Sequence, residues 1–478
     1  MIKNVFYGVL LLATSNLHAE QIVTLEDVVR NVLSSHLEIE RQDTVVELSD
    51  AQTQQMSSAF DWNLVTEGGF RRPLVPTSNP DGTLTTETEA NNVYNITFGM
   101  EKKFRSGITI APGVSYSQNL NSNSSDALAN STPLGHLGVK IPFLRGRGNK
   151  TTTANEHAAK EIHRSSELSK ERTIAKILVN ATSVFWQSVA AKRNLNAENL
   201  ADKEAAAITE NLKKLSEQGE LSVLEYQSSV ANLNLRRLKI EKSATTWNST
   251  RRKLARLMDS SHRIKNLPIT GDQFPGFVLD DTLSLDKNTL IDLALEQRRD
   301  LLALEHQIQS KRLNLFKAGN DLLPQLDLNL DLDKITLTYA QSLGKNLGKG
   351  RKRASAAELK AQQIELQMLK RSITDDVYEA IENLQLSFSS HQRARKAYRL
   401  LDQIAKTTRE RVVQGTAERN EYLSALDKLS DVERIINSAS VDYVTALAQL
   451  RLSTGTLPID SKNIKNTLNT LLTVPTNG

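Results

Sequence analysis

One structural unit is present twice in this sequence, and an internal duplication limits the possible folds more than any other single feature. The segments QGELSVLEY and QGTAERNEY begin at Gln218 and Gln414, an offset of 196 positions. The offset holds without a gap over the residues that follow. The matched pairs are Gly219 and Gly415, Glu225 and Glu421, Tyr226 and Tyr422, Val230 and Leu426, Leu233 and Leu429, Ile240 and Ile436, Trp247 and Tyr443, and Leu254 and Leu450. The chain is therefore expected to fold as two related halves.

The two halves differ in one internal segment. Upstream of the matched pairs the offset is about 199, between ERTIAKI at 171–177 and KRSITDDV at 370–377. Nearer the N-terminus it reaches about 263, between SSHLEIE at 34–40 and QRRDLLA at 297–303. The first half therefore has more than sixty additional residues within roughly 61–150. Their counterpart in the second half lies near 325–350.

Long helices are predicted in both halves. Residues 154–217 contain no Pro or Gly, and apolar residues recur at helical spacing close to that of a coiled coil. The second half has an equivalent run at 354–414, and a helix of about 60 residues is about 90 Å long. Shorter helices are expected at Leu25–Phe60, Ser222–Met258, Leu290–Leu322 and Arg419–Leu452. Gly219 and Gly415 then fall where a long helix turns back into a short one, a position that favours glycine.

Between the helices the apolar spacing changes to a period of two, which is typical of β-strands. Alternating segments are NLVTEGGFRR at 63–72, NNVYNITFGMEKKF at 91–104, GITIAPGVSYSQNL at 107–120 and LGHLGVKIPF at 134–143. About ten alternating residues between polar loops indicate transmembrane strands, and the aromatic enrichment of this region suits a membrane interface. A soluble β-domain inserted between helices is the alternative. The second half has one alternating segment, 326–340, which predicts a short hairpin that turns at Asp333-Lys334.

Composition excludes several classes of protein. With 24% charged and 39% hydrophobic residues, the chain is too polar for a multi-span helical membrane protein. Lys3, the apolar run 5–13 and Leu17-His18-Ala19 have the order of a secretory signal, so residues 1–19 are expected to be a signal peptide. Cysteine is absent, which excludes disulfides and thiolate metal sites. The net charge of +5 comes from basic residues interleaved with acidic ones, which favours solvated helix faces over nucleic-acid binding.

Two motifs and the duplication together resemble the TolC-type outer-membrane efflux protein family, also called outer membrane factors. IPFLRGRG at Ile141–Gly148 ends the first strand segment before a polar helix, and LLPQLDL at Leu322–Leu328 opens the second. The resemblance covers almost the whole chain after the signal. It implies a mainly α fold with a transmembrane β-barrel: a duplicated long-helix coiled-coil barrel in which strands from three protomers close one β-barrel.

The resemblance also implies the setting in which the protein works. It implies a homotrimer in the Gram-negative outer membrane that extends into the periplasm and contacts outer-membrane lipid. Its partners would be a periplasmic adaptor (membrane fusion) protein and an inner-membrane pump or ABC exporter. The function would be that of an exit duct for a tripartite efflux pump or a type I secretion system, with passive export and gating at the periplasmic helix tips.

Site residues follow from the family's acidic ring, which constricts the periplasmic end just after the second tip. Counted from the tip glycine, its positions fall on Glu421 and Ser424, and on Glu225 and Ser228 in the first half. We hypothesise that Glu421, together with Glu225, attracts cations at a pore constriction; a solvated Glu on a helix is the competing interpretation. Gly219, Gly415, Tyr226 and Tyr422 are expected at the tip turns, where an adaptor would make contact. The family's latch residues do not carry over, because Val412 and Ala417 occupy those positions.

Other functions have weaker support. No nucleophile, base and orienting group form a recognisable set, so no catalysis, cofactor or nucleic-acid binding is predicted. His157 and His163 are six residues apart and cannot share a helix face as metal ligands. GKNLGKG at 344–350 lacks the spacing of a phosphate loop and is better explained as a basic strand-to-helix junction. A non-channel periplasmic adaptor or coiled-coil structural protein is the alternative function.

These inferences divide the chain into consecutive segments, which are expected as follows: 20–60 the first helix of repeat 1, 61–145 the first outer-membrane strand segment, 150–258 the long helix, tip and return helix of repeat 1, 259–288 an equatorial collar, 289–323 the first helix of repeat 2, 324–345 the short second strand segment, 350–452 the long helix, tip and return helix of repeat 2, and 453–478 a C-terminal collar or tail.

Overall fold

The chain consists of long helices and one extended sheet. The computed structural model describes residues 22–71, 74–78, 81–82, 84–88, 91–121, 131–258, 267–271, 273–275, 286–459 and 464–475. The expected signal peptide lies outside these residues, as does most of the expected collar at 259–288.

The first half contains a broken helix, a strand region and a helical hairpin. Its elements are β1 (Ile22–Val23), α1 (Leu25–Ser35), α2 (Leu37–Ser57), β2 (Trp62–Arg71), β3 (Leu74–Ser78), β4 (Leu84–Thr88), β5 (Asn91–Lys103), β6 (Thr109–Asn121), β7 (Ser131–Pro142), α3 (Asn149–Thr152), α4 (Ala154–Glu217) and α5 (Val223–Leu257). The long helix α4 covers the range that the absence of Pro and Gly predicts.

The second half repeats this order with a shorter strand region. Its elements are β8 (Ile269–Thr270), α6 (Lys287–Gln297), α7 (Arg299–Asn320), β9 (Gln325–Leu330), β10 (Ile335–Ala340), α8 (Asn346–Val413), α9 (Arg419–Thr454) and α10 (Ile464–Leu471). The hairpin predicted at 326–340 is β9 and β10, joined by a turn in which the Asp331 amide donates to the Lys334 carbonyl over 2.8 Å.

Two helices expected to be continuous are broken. The first helix of each half is interrupted, at His36 and at Arg298, and both residues have extended backbone. At Arg298 the break is held in place: the side chain is buried and its guanidinium donates to Asp376 over 2.7 Å. The two breaks are 262 positions apart, close to the offset of about 263 found in this part of the sequence. The broken helix is therefore part of the duplicated unit.

The main sheet joins strands from both halves. Its six strands are antiparallel in the order β10-β9-β7-β6-β5-β2, and β7 contacts β9 through four residue pairs, from Val139–Leu330 to Pro142–Asp327. A separate hairpin pairs β3 with β4, in a stretch where the sequence predicts a polar loop. The remaining ladder is the short parallel pair β1-β8.

The chain divides into two units. One takes in the chain up to Arg41, Glu171–Arg298 and the chain from Ser372 onward. Its fully buried apolar side chains include Leu178, Leu254, Ile381 and Leu450. It contains both helix tips.

The other unit comprises Gln42–Lys170 and Arg299–Arg371 and contains the six-stranded sheet. Its helix α7 has buried apolar side chains at Leu301, Leu304 and Ile308, and it contacts α4 through a hydrogen bond between His306 and Glu161. At the end of β7, the chain turns through Arg145 and Gly146, whose amides donate to Pro324 and Asn320, and then enters α3 and α4.

Candidate functional site

Both helix tips have the same backbone turn. At the first, Gly219 has a φ of 77°, its amide donates to the Ser216 carbonyl, and the Glu220 amide donates to Leu215 over 2.9 Å. At the second, Gly415 has a φ of 73° and the Thr416 amide donates to Arg411 over 2.9 Å. These paired bonds form a Schellman motif, in which a left-handed residue satisfies the last helix carbonyls. The duplicated glycines are therefore explained by backbone conformation.

Glu225 and Glu421 lie in the first turn of the return helices. Each is the third residue of its helix, α5 or α9. The six-residue spacing from each tip glycine would predict a position about a turn and a half inside the return helix, but both residues lie in its first turn. The turn takes up the intervening residues, since α5 begins only after the cap Ser222. A carboxylate in a first turn is also favoured by the positive end of the helix dipole.

The four predicted constriction residues are exposed. Glu225 and Ser228 lie three residues apart on α5, and Glu421 and Ser424 have the same relation on α9. Residues three apart share a helix face, so each pair presents a carboxylate and a hydroxyl together.

The two tip tyrosines differ. Tyr422 is buried, with its ring among Ala405, Ala425 and Leu426, and its hydroxyl donates to the Glu204 carboxylate on α4. Burial and this hydrogen bond raise the pKa of Tyr422 to about 12. Tyr226 is only half-buried. Tyr422 is thus a packing residue of its own chain, and its ring does not form an exposed surface for an adaptor.

Arg236 connects the two return helices. Its guanidinium is buried on α5 and donates to the Leu423 carbonyl of α9 over 3.0 Å. The same nitrogen is 3.2 Å from Asp427, which also lies 3.5 Å from the Lys239 ammonium. Arg236 thereby fixes α5 against the first two turns of α9, where Glu421 lies. Sequence reasoning missed this residue because its counterpart in the other half is Val432, so the duplication does not mark it.

The six-stranded sheet has one apolar face. Residues directly opposite one another in an antiparallel pair project to the same side, and the register aligns apolar residues across all six strands. They are Trp62, Leu64 and Phe70 on β2, Tyr94, Ile96, Phe98 and Met100 on β5, Val114 and Tyr116 on β6, Leu137, Val139 and Ile141 on β7, Leu326, Leu328 and Leu330 on β9, and Ile335, Leu337 and Tyr339 on β10. Most are exposed: Phe98 retains 56% and Ile335 75% of its accessible surface.

The opposite face is polar. Apart from Val65, Val93, Leu134 and Pro142, it carries glycines, alanines and polar side chains, among them Asn63, Glu67, Asn95, Thr97, Ser115, Ser117, His136, Lys140, Asp327, Asn329, Thr336 and Thr338. The buried Asp327 pairs with Lys140 across the β7-β9 boundary at 2.9 Å. A sheet with an exposed apolar face and a polar face is suited to separate lipid from water.

Aromatic and cationic side chains meet at the end of the apolar face nearest the helices. The Lys102 ammonium lies 5.3 Å from the centroid of the Trp62 ring and 5.7 Å from that of Phe104. Arg105 follows in the turn between β5 and β6, with its guanidinium 4.8 Å from the Phe60 centroid. Aromatic rings with adjoining cations are typical of a membrane–water interface.

Among the residues that the structure describes, no group of three or more His, Asp or Glu side chains is placed to hold a metal ion. In the same ranges, no helix has a run long and apolar enough to cross a membrane.

Comparison with known proteins identifies the fold. No protein-family model and no curated protein matches the sequence. The CmeC outer membrane channel of Campylobacter jejuni matches with a TM-score of 0.68 and 15% identity, over 93% of this chain and 89% of that one. A membrane protein from Pseudomonas aeruginosa matches with a TM-score of 0.69 and 14% identity, over 91% and 94%. The outer membrane protein VceC of Vibrio cholerae matches with a TM-score of 0.67 and 12% identity, over 90% and 96%.

These likenesses extend over nearly the whole chain, and at such identities they concern the fold. They agree with the interpretation drawn from the duplication and from the motifs at Ile141–Gly148 and Leu322–Leu328. The chain therefore has the TolC-type fold of the outer-membrane channels.

Proposed function

We propose that this protein is an outer-membrane channel, the exit duct of a tripartite efflux pump or of a type I secretion system. The observation that carries the proposal is the two-faced sheet. Its apolar face is matched across six strands, and its other face is polar. Lipid would cover the first, and a water-filled passage would lie against the second.

Closure of the sheet requires further copies of the chain. In the described residues, β2 and β10 each have one unpaired edge. Unpaired backbone groups cannot face hydrocarbon, so the edges must join those of neighbouring copies. We propose a homotrimer in the outer membrane, with strands from three protomers closing one β-barrel and with long helices extending into the periplasm.

The helical region supports assembly independently. The return helices α5 and α9 have matching apolar positions, yet α9 is buried along its length while α5 buries only five residues. At the matched pairs, Tyr226 and Val230 are half-buried where Tyr422 and Leu426 are buried. In one chain, the apolar stripe of α5 is therefore only partly buried.

The duplication indicates what covers that stripe. In one chain, Tyr422 of α9 packs beside Ile208 of α4. The counterpart of Ile208 at the 196 offset is Ile404 on α8, which retains 52% of its surface, and Leu400 one turn earlier retains 63%. We propose that the first-repeat return helix packs on α8 of a neighbouring copy, with Tyr226 and Val230 against Leu400 and Ile404.

The proposed partners are a periplasmic adaptor protein, which would contact the tips, and an inner-membrane pump or ABC exporter. If neighbouring copies pack in this way, the tip turns remain accessible to an adaptor. Val223, Leu224 and Val413 are exposed there.

The channel would be gated at these tips. We propose that Glu421, with Ser424 beside it, and Glu225 with Ser228, form a carboxylate ring when three copies assemble. Closely held carboxylates would attract cations and narrow the passage. Arg236 supports the proposal, since it fixes the first turns of α9 against α5.

The gating proposal is tested with Glu421→Gln in planar bilayers. We expect higher single-channel conductance and weaker block by divalent cations, because three carboxylates are removed from the constriction. Glu225→Gln measured beside it reports whether the first-repeat carboxylate shares the ring, and Glu220→Gln, in the exposed tip turn, is the control for charge alone. Unchanged conductance and block in Glu421→Gln would refute the constriction.

The channel itself is tested by extraction and conductance. The full chain should be extracted from outer membranes with detergent as a trimer and should conduct ions in planar bilayers. A soluble periplasmic monomer without conductance would overturn the proposal and favour an adaptor or structural coiled-coil protein.

A further inference from the structure

Two basic segments lie where the sheet meets the helices. One follows β7 and contains Arg145, Arg147 and Lys150; no acidic residue occurs from 141 to 155. The other contains the exposed Lys349, Arg351, Lys352 and Arg353, together with Lys345, and no acidic residue occurs from 335 to 357. We call these eight residues the basic collar.

Both segments flank the same piece of chain, the junction between α7 and β9. The Gly146 amide donates to the Asn320 side chain over 2.8 Å, and the Arg145 guanidinium donates to Gln325 over 2.8 Å. On the other segment, Gly348 approaches Leu322 so closely that a Cβ there would lie 2.7 Å from the Leu322 Cδ2. The collar is therefore one surface of the sheet-bearing unit.

Among the described residues, no carboxylate forms an ion pair with the basic collar: none of its eight residues has a carboxylate within 4.0 Å. Lys150 instead lies over the Phe316 ring, 4.6 Å from its centroid. Five of the cations lie at or near the start of α8, where the helix dipole disfavours positive charge. Helix stability therefore does not account for them.

Apolar side chains are exposed beside these cations. Phe143 and Leu144 precede the first segment, and Leu343 and Leu347 lie within and beside the second. Leu343 retains 99% of its accessible surface. The Trp62, Lys102 and Phe104 cluster lies at the helix-side end of β5, where Lys102 pairs with Trp62.

We propose that the basic collar binds the phosphodiester headgroups of anionic phospholipids in the periplasmic leaflet of the outer membrane. The inference rests on the proposed membrane position of the sheet. Arginine binds phosphate oxygens in bidentate fashion, and the leucine and phenylalanine side chains would enter the acyl region beside the headgroup. A free anion or an acidic protein would use the cations but leave the exposed Leu343 and Leu347 in water, so phospholipid is the favoured ligand.

The test uses the purified full chain in zwitterionic detergent. Phosphatidylglycerol or phosphatidylcholine of equal chain length is titrated in, and bound lipid is counted by native mass spectrometry. The variant is Lys349→Gln, Arg351→Gln, Lys352→Gln and Arg353→Gln combined. The matched control removes the same charge from exposed positions on α5 and α9: Arg237→Gln, Lys242→Gln, Lys253→Gln and Lys428→Gln.

Wild type and control should bind phosphatidylglycerol in preference to phosphatidylcholine, and the collar variant should bind it about tenfold more weakly or worse, since each cation contributes to attraction at an anionic surface. Equal binding by the collar variant, or no preference between the lipids, would overturn the proposal. So would full displacement by equimolar inorganic phosphate, or a preference for lipopolysaccharide. Thermal unfolding without added lipid shows whether the variant is folded.

Conductance in bilayers of neutral lipid separates this proposal from the proposed function. A collar variant that conducts but has lost the lipid preference supports both. A wild-type chain that binds phosphatidylglycerol but neither forms a trimer nor conducts would refute the channel and leave the lipid site standing. A conducting wild type without lipid preference would refute the collar alone.

Discussion

At the scale of single residues, one buried carboxylate joins the turn between β5 and β6 to the long helix α4. Glu156, at the start of α4, accepts two hydrogen bonds of 3.1 Å from Arg105 in the turn between β5 and β6. Lys160, one turn further along α4, donates over 2.9 Å. The pKa of Glu156 is lowered to about 2, mainly by the hydrogen bonds from Arg105. Lys160 contributes to the lowering, and burial opposes it. Glu156 thus ties the strand turn to the long helix.

This lowered pKa predicts an acid-sensitive contribution to stability. A carboxyl group whose pKa falls on folding stabilises the folded state above its ordinary value of 4.5, and this contribution is lost as the pH falls toward 2. The shift corresponds to no more than about 3 kcal/mol. In Glu156→Gln we expect a lower melting temperature at neutral pH and a smaller further decrease between pH 4.5 and 2 than in wild type. Parallel pH profiles for the two proteins would contradict this.

The tip tyrosines provide a matched pair of substitutions. Tyr422→Phe removes the bond to Glu204 and leaves that carboxylate without its buried partner, which should cost about 1–2 kcal/mol of unfolding free energy. Tyr226→Phe should cost little, because Tyr226 makes no hydrogen bond among the described residues. The melting temperatures of both variants in detergent test this; equal effects would contradict the difference between the two tips.

The candidate site was predictable from sequence where the duplication marked it. Gly219 and Gly415 lie in the left-handed turns that end the long helices, a conformation that favours glycine. The first-turn positions of Glu225 and Glu421 do not follow from the spacing, since the length of a non-helical turn depends on its capping bonds. Glu204 and Arg236 have no repeat counterpart of their own kind, so only the packing of separate helices reveals them.

At the scale of secondary-structure elements, three glycine turns end helices with the same backbone and different surroundings. Gly415 has open space where a Cβ would lie, whereas at Gly455, after α9, a Cβ would lie 2.9 Å from the backbone of Gln297 and Arg298. Both glycines have positive φ. Gly455 therefore serves two purposes, the turn itself and close packing against the break between α6 and α7.

This difference predicts two distinct costs for alanine. Gly415→Ala should destabilise the protein by about 1–2 kcal/mol, the usual cost of a left-handed residue with a Cβ. Gly455→Ala should cost clearly more, because the clash is with backbone and cannot be relieved by a side-chain rotation. Melting temperatures of the two variants, with Gly219→Ala as a second open turn, provide the comparison. Equal losses at all three positions would show that the close approach has no effect.

Element boundaries followed from sequence where the local signal was strong. Helix α4 covers 154–217 because nothing in that run can end a helix before the glycine turn. The breaks at His36 and Arg298 were not predicted, because neither involves Pro or Gly. At Arg298 the extended backbone is stabilised by the contact with Asp376. The β3-β4 hairpin was not predicted, because its strands have only five residues each and show no clear alternation, although Pro80-Asp81-Gly82 is a turn sequence.

At the scale of the whole molecule, a duplicated unit has come to occupy two different environments. Helices α5 and α9 carry related sequences, yet in one chain α9 has buried residues along its whole length, whereas α5 buries only five. Two matched residues of the long helices differ in the same way: Ile208 of α4 is packed within the chain, whereas its counterpart Ile404 of α8 is exposed. A sequence comparison within the chain can predict the shared contacts, but it cannot show which copy of each contact is completed by another molecule.

Substitution on α8 tests this inference. Ile404→Glu should convert the extracted trimer to monomer, because it places a carboxylate against Tyr226 and Val230 of the next copy. Val413→Glu is the control: Val413 is exposed, and its counterpart at the 196 offset is already Glu217. Sedimentation in detergent reports the mass of each variant. A trimer that persists in Ile404→Glu would place the interface elsewhere.

The position of α1 has a consequence for the order in which the chain folds. Its Val28, Val29 and Val32 are fully buried, and α1 contacts α10, near the other end of the sequence. Just before α1, the strand β1 pairs with β8, some 247 positions further on. Contacts so distant in sequence form late, since the intervening chain must first be available. Helix α1 thus remains without its partner until α10 is available, which makes the docking of α10 on α1 a late step of folding.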